Sequence, residues 1–250
     1  MTSAKSNTRA SMRLDAWLAR SGLASRSEAR ALVRHGRVRV DGAVCRDPAA
    51  RVTSDQAVTL DEAPVERPGI QRDWLLHKPV GLACSRDERE APLVFDLLDP
   101  ALRRLPIRIA GRLDRATSGL LVLTTDGAFL HRLTHPTRKL PKRYRIGYSG
   151  ELVADAAARC AAGILLAGES RPTRPAQLTL DGPGRATLVL REGRTHQVRR
   201  MVRALGAVVE TLHRDRVGLL ELPDDLPPGA LRPLSPEARA RLSSESESSL

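Results

Sequence analysis

Apolar and polar positions first fall into order between residues 12 and 62. In "MRLDAWLARSG", Leu14, Trp17 and Leu18 recur at helical spacing, and Gly22 follows as a stop. "SRSEARALVRHG" opens with Ser25 and Glu28, a pair that can cap a helix start, and closes at Gly36. Ala29, Leu32 and Val33 form its inner face. "RVRVDGAV" then alternates, with Val38 and Val40 on one face and arginines on the other, and Asp41-Gly42 is a hairpin-turn signal. "AVTLDEAPV" gives one more short strand. The pattern predicts a small helix–turn–helix–hairpin unit over 12–62. Residues 63–72 carry prolines and a glycine with little periodicity and read as a linker.

From Trp74 to about residue 242, strand-like and helix-like runs interleave in an α+β pattern without regular βαβ alternation. "DWLLHKPVGLACS" reads as strand, Pro-Gly loop and strand. "GLLVLTTDG" reads as a buried strand, and "DGAFLHRLTHP" as a helix capped near Asp126 and stopped by Pro136. "KRYRIGYSG" and "ATLVLREG" read as strands. "ELVADAAARCAAG" predicts a helix ending at Gly163. "RTHQVRRMVRALG" predicts another, with Val198, Met201, Val202 and Leu205 turned inward and Gly206 as its stop. The polar ends, 1–11 and 243–250, are expected to be disordered tails.

Composition narrows the class. Hydrophobic residues make up 41% of 250, enough for a packed core. No apolar run approaches the roughly 18 residues of a membrane span, and "MTSAKSNTRASM" lacks a secretory core. A cytoplasmic protein with no membrane partner is expected. Three scattered cysteines, Cys45, Cys84 and Cys160, suit a reducing compartment and read as small packing residues. Charge is the strong signal: 41 Lys and Arg against 29 Asp and Glu, net +12. Arg13 to Arg39 holds seven arginines against Asp15 and Glu28, "RKLPKRYR" five basic residues and no acid, and Arg191 to Arg203 five arginines against Glu192. Such clusters favour a polyanion, and arginine suits phosphate. With six Phe, Trp and Tyr in all, a platform of stacked aromatics is not expected.

One stretch raises the question of chemistry. In "GRLDRATSGLLVLTTDG", Asp114 precedes a core strand, among Arg112, Arg115, Thr117 and Ser118. It is either a turn residue bonding its own backbone or an ionised carboxylate held for a reaction. If Val198, Met201 and Val202 pack inward, Arg199 and Arg203 share one side of their helix, and one of them can reach such an acid. The alternatives for that helix are a solvated basic face or a groove-binding helix. His131 and His135 stand four apart, but no third metal ligand lies near, and none is expected.

Two resemblances bear on these alternatives. "RLDAWLARSGLASRSEARALVRHGRVRVDG" resembles the S4 RNA-binding domain, which implies RNA contacts by Arg13, Arg26, Arg30, Arg34 and Arg37. "GRLDRATSGLLVLTTDG" resembles the catalytic motif of pseudouridine synthases of the RsuA type. "HKPVG", "KRYRI", "EGRTHQVRRM" and "VVETLHRDRVG" follow that family's further motifs in order. His77 departs from it, standing where Asn usually precedes Lys-Pro. The resemblance implies an S4 domain followed by a catalytic domain with a mixed, mainly antiparallel sheet flanked by helices. It places the catalytic aspartate at Asp114, the base-stacking tyrosine at Tyr144, the basic partner of the acid at Arg199 and an apolar pocket wall at Leu212. Arg112, Thr117 and Ser118 become supports. Lys142, Arg194, His196, Gln197, Arg200 and Arg214 become RNA contacts.

The implied reaction isomerises a uridine within RNA, so no redox cofactor or group donor is expected, and a base must leave its stack to be reached. Ribosomal RNA or an assembling subunit is the implied partner of a monomeric enzyme. "CSRDEREAPLVFDLLD" and "LHRDRVG" look most like the small-subunit rRNA enzyme. The large-subunit enzymes of the same type are the close alternative, and a non-catalytic RNA-binding protein the distant one.

Overall fold

The computed structural model describes residues 11–21, 23–65, 73–135 and 140–243. Gly22, Pro136 and residues 1–10 and 244–250 of the expected tails, 1–11 and 243–250, lie outside the described residues; Ser11 begins the strand Ser11–Arg13 and Ser243 ends the helix Pro236–Ser243, so neither belongs to a tail. Backbone contacts divide the chain into two compact units, one taking residues up to Gln71 with Pro100–Ile107, the other Arg72–Asp99 and Arg108 onward.

In the first unit the helices are Leu14–Arg20, Arg26–Arg34 and the short Pro100–Arg103. The second begins with the expected capping box: Ser25 Oγ accepts from Glu28 N–H, and the Glu28 carboxylate accepts from Ser25 N–H at 2.7 Å. Val38–Val40 pairs with Ala43–Val44 through Asp41 and Gly42, whose φ angles of 50° and 82° are those of a type I′ turn. Val58–Leu60 lies on the other side of Val38–Val40 and pairs in turn with Ala63–Pro64. This corrects the expected linker: its first residues form an edge strand, and Val65 closes the core of Leu14, Trp17, Leu18, Ala29, Val33, Val38, Val52 and Val58. A proline on that edge removes no internal ladder bond, which is why periodicity missed it.

The second unit holds the α+β architecture that the pattern predicts. Its sheet runs, in spatial order, Gln177–Leu180, Arg185–Leu190, Lys142–Gly150, Ala207–Val217, Ser118–Thr124, Asp73–Lys78 and Leu231–Pro233. All pairings along it are antiparallel except Ala207–Val217 with Ser118–Thr124. Helices Ala156–Ala162 and Gln197–Ala204 contribute to one core with Ile146, Leu188 and Leu212. Helices Gly127–Thr134 and Pro236–Ser243 contribute to another with Leu75, Leu120 and Val122.

Three local expectations change. The run after Gly81 makes a single bridge, Ala83 to Leu93, because Ser85 Oγ accepts from Asp87 N–H at 3.1 Å and turns the chain before a ladder can form. The alanine-rich helix starts only at Ala156, and Val153 ahead of it donates its N–H to Leu205 O. The basic helix starts at Gln197 because His196 adopts φ 51°, ψ 30°, left-handed geometry that no helix continues through.

Candidate active site

The loop Gly111–Thr117 enters the fully buried part of the sheet at Gly119. There the only parallel pairing occurs among the described strands, His213 to Ser118 and Arg214 to Gly119. Gly119 has φ 116°, and a β-carbon on it would sit 2.2 Å from Arg214 O. Only glycine permits this approach, and the approach brings Arg214 under the loop.

The loop is gripped by its carbonyls. Lys78 Nζ is sealed from solvent and donates to Asp114 O at 3.2 Å and Thr117 O at 2.9 Å, with Arg115 O at 3.4 Å. Arg214, only 2% exposed, donates to Gly111 O at 2.9 Å and Arg112 O at 3.4 Å, and also to Leu120 O. Arg199 donates to Ala116 O and to Val209 O, both at 3.0 Å. Three cations therefore hold every loop carbonyl except that of Leu113, without a carboxylate in any of these bonds. Burial pushes the Lys78 ammonium below its ordinary value, and the nearby Cys84 and Asp114 oppose that shift. The Cys84 thiol is pushed up, chiefly by burial, which fits a packing residue.

The Asp114 side chain is left facing outward, 40% exposed, with His196 Nε2 3.7 Å from Oδ1. His196 is held there by its strained backbone, a conformation that costs about 1–2 kcal/mol for a non-glycine residue. Behind it, Gln197 donates to Glu192 at 2.6 Å and accepts from Arg194 N–H at 2.9 Å, tying the turn 192–197 together.

Asp114 and His196 stand on a cleft of about 880 Å³, within the range of ligand-binding pockets. Leu113, Leu130, Leu133, Leu190, Val198 and Leu212 supply apolar walls; Arg112, Lys142, Tyr144 and Arg191 supply polar ones. Tyr144 and Lys142 alternate along one face of their strand, and Leu212 and Arg214 along the neighbouring one. Desolvation, reinforced by Arg214 and opposed by Glu192, lowers Lys142 to about 8. The cleft thus offers a carboxylate beside apolar walls, a phenol ring and a lysine whose charge changes in mild alkali.

Of the expected site residues, Asp114, Tyr144, Leu212, Arg112, Thr117, Lys142, Arg194, His196, Gln197 and Arg214 all line this cleft. Other expected roles change. Arg199 makes no ion pair with Asp114 among the described residues and braces the loop backbone instead. Ser118 Oγ meets His213 Nδ1 at 2.9 Å and is not among the cleft residues. Thr117 is 1% exposed, with its hydroxyl unpaired among the described residues, so its grip on the site is through its carbonyl. Four expected RNA contacts are internally engaged. Arg214 is buried under the loop and Gln197 is bonded within its turn. Arg194 donates to Arg171 O and Pro172 O, and Arg200 pairs with Glu169 at 2.8 Å. For Arg194, Arg200 and Arg214 these partners approach only in three dimensions, whereas those of Gln197 lie within five residues of it.

In the first unit, Arg13, Arg26 and Arg30 converge on Asp15, Arg34 is exposed, and Arg37 pairs with Asp61. His77, the departure from the family pattern, bonds Leu226 O through Nδ1 at 2.7 Å and meets the His213 ring edge-on. It joins strand to loop outside the cleft. Lys78 was missed as a site residue, although its place before Pro-x-Gly in an apolar strand was a signal: a lysine there is buried and must spend its donors on backbone.

A mixed sheet carrying an acid-bearing cleft, preceded along the chain by a helical, arginine-rich unit, is the arrangement of an RNA pseudouridine synthase with an S4 domain. Residues 74–204 match the RNA pseudouridylate synthase family and residues 12–68 the S4 domain. The chain belongs to the RNA pseudouridylate synthase family. It is 39% identical over 226 residues to the ribosomal small subunit pseudouridine synthase A of Yersinia pestis, covering 90% of this chain and 96% of that one. To the protein of the same name from Pseudomonas aeruginosa it is 40% identical, covering 90% and 98%. A solved structure described as a pseudouridylate synthase matches with a TM-score of 0.67 at 33% identity, over 92% of this chain and 99% of that one.

Proposed function

We propose that the protein isomerises one uridine of small-subunit ribosomal RNA to pseudouridine, with Asp114 as the catalytic carboxylate. The observation that carries this is the state of Asp114: its backbone is immobilised by Lys78 and its side chain is left open to a cleft with both apolar and cationic walls. A nucleophile or a base needs that combination of fixed position and free lone pairs. The C1′–N1 bond breaks, the uracil turns, C5 bonds to C1′, and the proton lost from C5 is balanced by one gained at N1. No donor or electron carrier enters this balance. An ionised Asp114 serves either by attacking C1′ or by taking a ribose proton. Tyr144 stacks on the extruded base, Leu212 walls the pocket, and Arg112, Lys142 and His196 meet the flanking backbone.

The likeness to small-subunit enzymes supports the choice of RNA. Arg13, Arg26, Arg30 and Arg34 bind RNA phosphates, and residues near 73–242 carry catalysis in a monomer working in the cytoplasm, where ribosomal RNA is found. Mapping pseudouridine in ribosomal RNA from a deletion strain tests the assignment. Wild type should restore the missing site and Asp114→Asn should not. Equal restoration by both would remove Asp114 from the chemistry, and a site restored in large-subunit RNA would reassign the substrate.

A further inference from the structure

The first unit contains an acid that the reaction does not use. Asp15 is 0% exposed, and three arginines close on its carboxylate. Arg13 donates to it through Nε at 3.2 Å and Nη2 at 2.9 Å, Arg30 through Nε at 3.1 Å, and Arg26 Nη2 stands 3.8 Å away. These arginines come from a strand end, a helix start and the next turn of that helix. The capping box fixes the start of Arg26–Arg34, so Arg26 and Arg30 project four residues apart on one face. Their side chains remain 40%, 54% and 47% exposed for Arg13, Arg26 and Arg30. Arg13 spends two nitrogens on Asp15 and Arg30 one, leaving further N–H groups of each guanidinium with no acceptor among the described residues.

A structural ion pair needs one arginine for one acid, as in Arg37 with Asp61. Here three cations surround one anion, with Asp47 also acting on Arg13, so the cluster keeps a surplus of positive charge while each guanidinium is oriented. Three unheld arginines this close would splay apart by repulsion and rotamer freedom. We infer that Asp15 is the positioning residue of a phosphate site formed by Arg13, Arg26 and Arg30, and that its ligand is the RNA backbone. This rests on the reading that the unit binds ribosomal RNA.

The sign of one substitution separates this role from simple charge. Asp15→Asn removes a negative charge, so a purely electrostatic view has RNA binding more tightly. The positioning role has it binding more weakly. The test uses the full chain with in vitro transcribed small-subunit ribosomal RNA, titrated across a potassium chloride series. Asp15→Asn should weaken binding roughly tenfold near physiological salt and flatten the salt dependence by about 0.7–0.9 in log–log slope for each phosphate no longer neutralised. KM for RNA should rise while kcat at saturation stays the same. Equal or tighter binding with an unchanged slope would overturn the inference. Asp15→Glu keeps the charge and moves the carboxylate, and it too should bind more weakly.

If Asp15 variants lose the fold, Arg26→Gln and Arg30→Gln decide. A shared phosphate makes the double variant lose less than the sum of the singles, and strict additivity rejects a common site. If no arginine variant changes binding, the reading of this unit as the RNA binder fails. If the arginine variants weaken binding and both Asp15 variants do not, only the role of Asp15 falls.

Discussion

Two lysines of the second unit, one sealed and one half-buried, do different work. Lys78 spends its donors on loop carbonyls, so Lys78→Met should leave the carboxylate of Asp114 chemically intact but free to drift. A displacement near 1 Å costs about 100-fold in rate. Single-turnover kinetics should show kcat falling by that order with KM for RNA nearly constant; a rise in KM alone would show that Lys78 serves binding. Lys142 holds a native value of about 8 against an ordinary 10.5, so the unfolded chain keeps this proton more tightly. The penalty for burying the charge is therefore full below pH 8, and native stability recovers as pH rises from about 8 to 10.5. Urea unfolding of wild type and Lys142→Met across that window should show the wild type gaining on the variant, where a constant gap would contradict the assignment. Residue identity made Asp114, Tyr144 and Leu212 legible in the sequence. The engagement of Arg194, Arg200 and Arg214 was not, because Glu169, the 111–112 carbonyls and Leu120 O lie far from them along the chain.

Among the elements, the helix Pro236–Ser243 shows how long-range electrostatics completes a fold that periodicity only sketches. Its pattern is weak, yet Arg239 pairs with both Asp73 and Asp126 and lies 4.1 Å over the Phe129 ring. Burial pushes the Asp126 carboxyl up, but Arg239 and the N–H groups of Phe129 and Ala128 outweigh it and hold the group below its usual range. Arg239→Met removes from two buried carboxylates the cation they share, a loss of about 3–5 kcal/mol in urea unfolding at neutral pH. Stability from a depressed carboxyl is present above the ordinary aspartate range and fades as pH falls through the native value. The gap between variant and wild type should therefore narrow in acid. An unchanged gap down to about pH 3 would show that packing, not charge, is responsible. The long strands Ser118–Thr124 and Lys142–Gly150 were legible because burial and alternation marked them. The edge strand Ala63–Pro64 and the late start at Ala156 were not, since each depends on where the backbone finds its partner.

For the whole molecule, the count of 41 lysines and arginines overstates the cationic groups free to meet RNA. Carboxylates engage Arg37, Arg143, Arg145, Arg200 and Arg239, whereas the exposed Arg34 makes no ion pair among the described residues. Neutralising Arg34 should reduce the log–log salt slope of RNA binding by about 0.7–0.9, while Arg200→Gln should leave that slope unchanged. Equal effects would mean that charge count, not geometry, sets affinity.

The gripped loop also orders events in time. Its carbonyls wait for Arg199 and Arg214, which lie 83 and up to 103 positions further along the chain. During synthesis from the N-terminus, the RNA-binding unit is complete while Gly111–Thr117 still lacks two of its three braces. A nascent chain can hold RNA before it can modify any, and competence arrives only with the closing strands of the sheet.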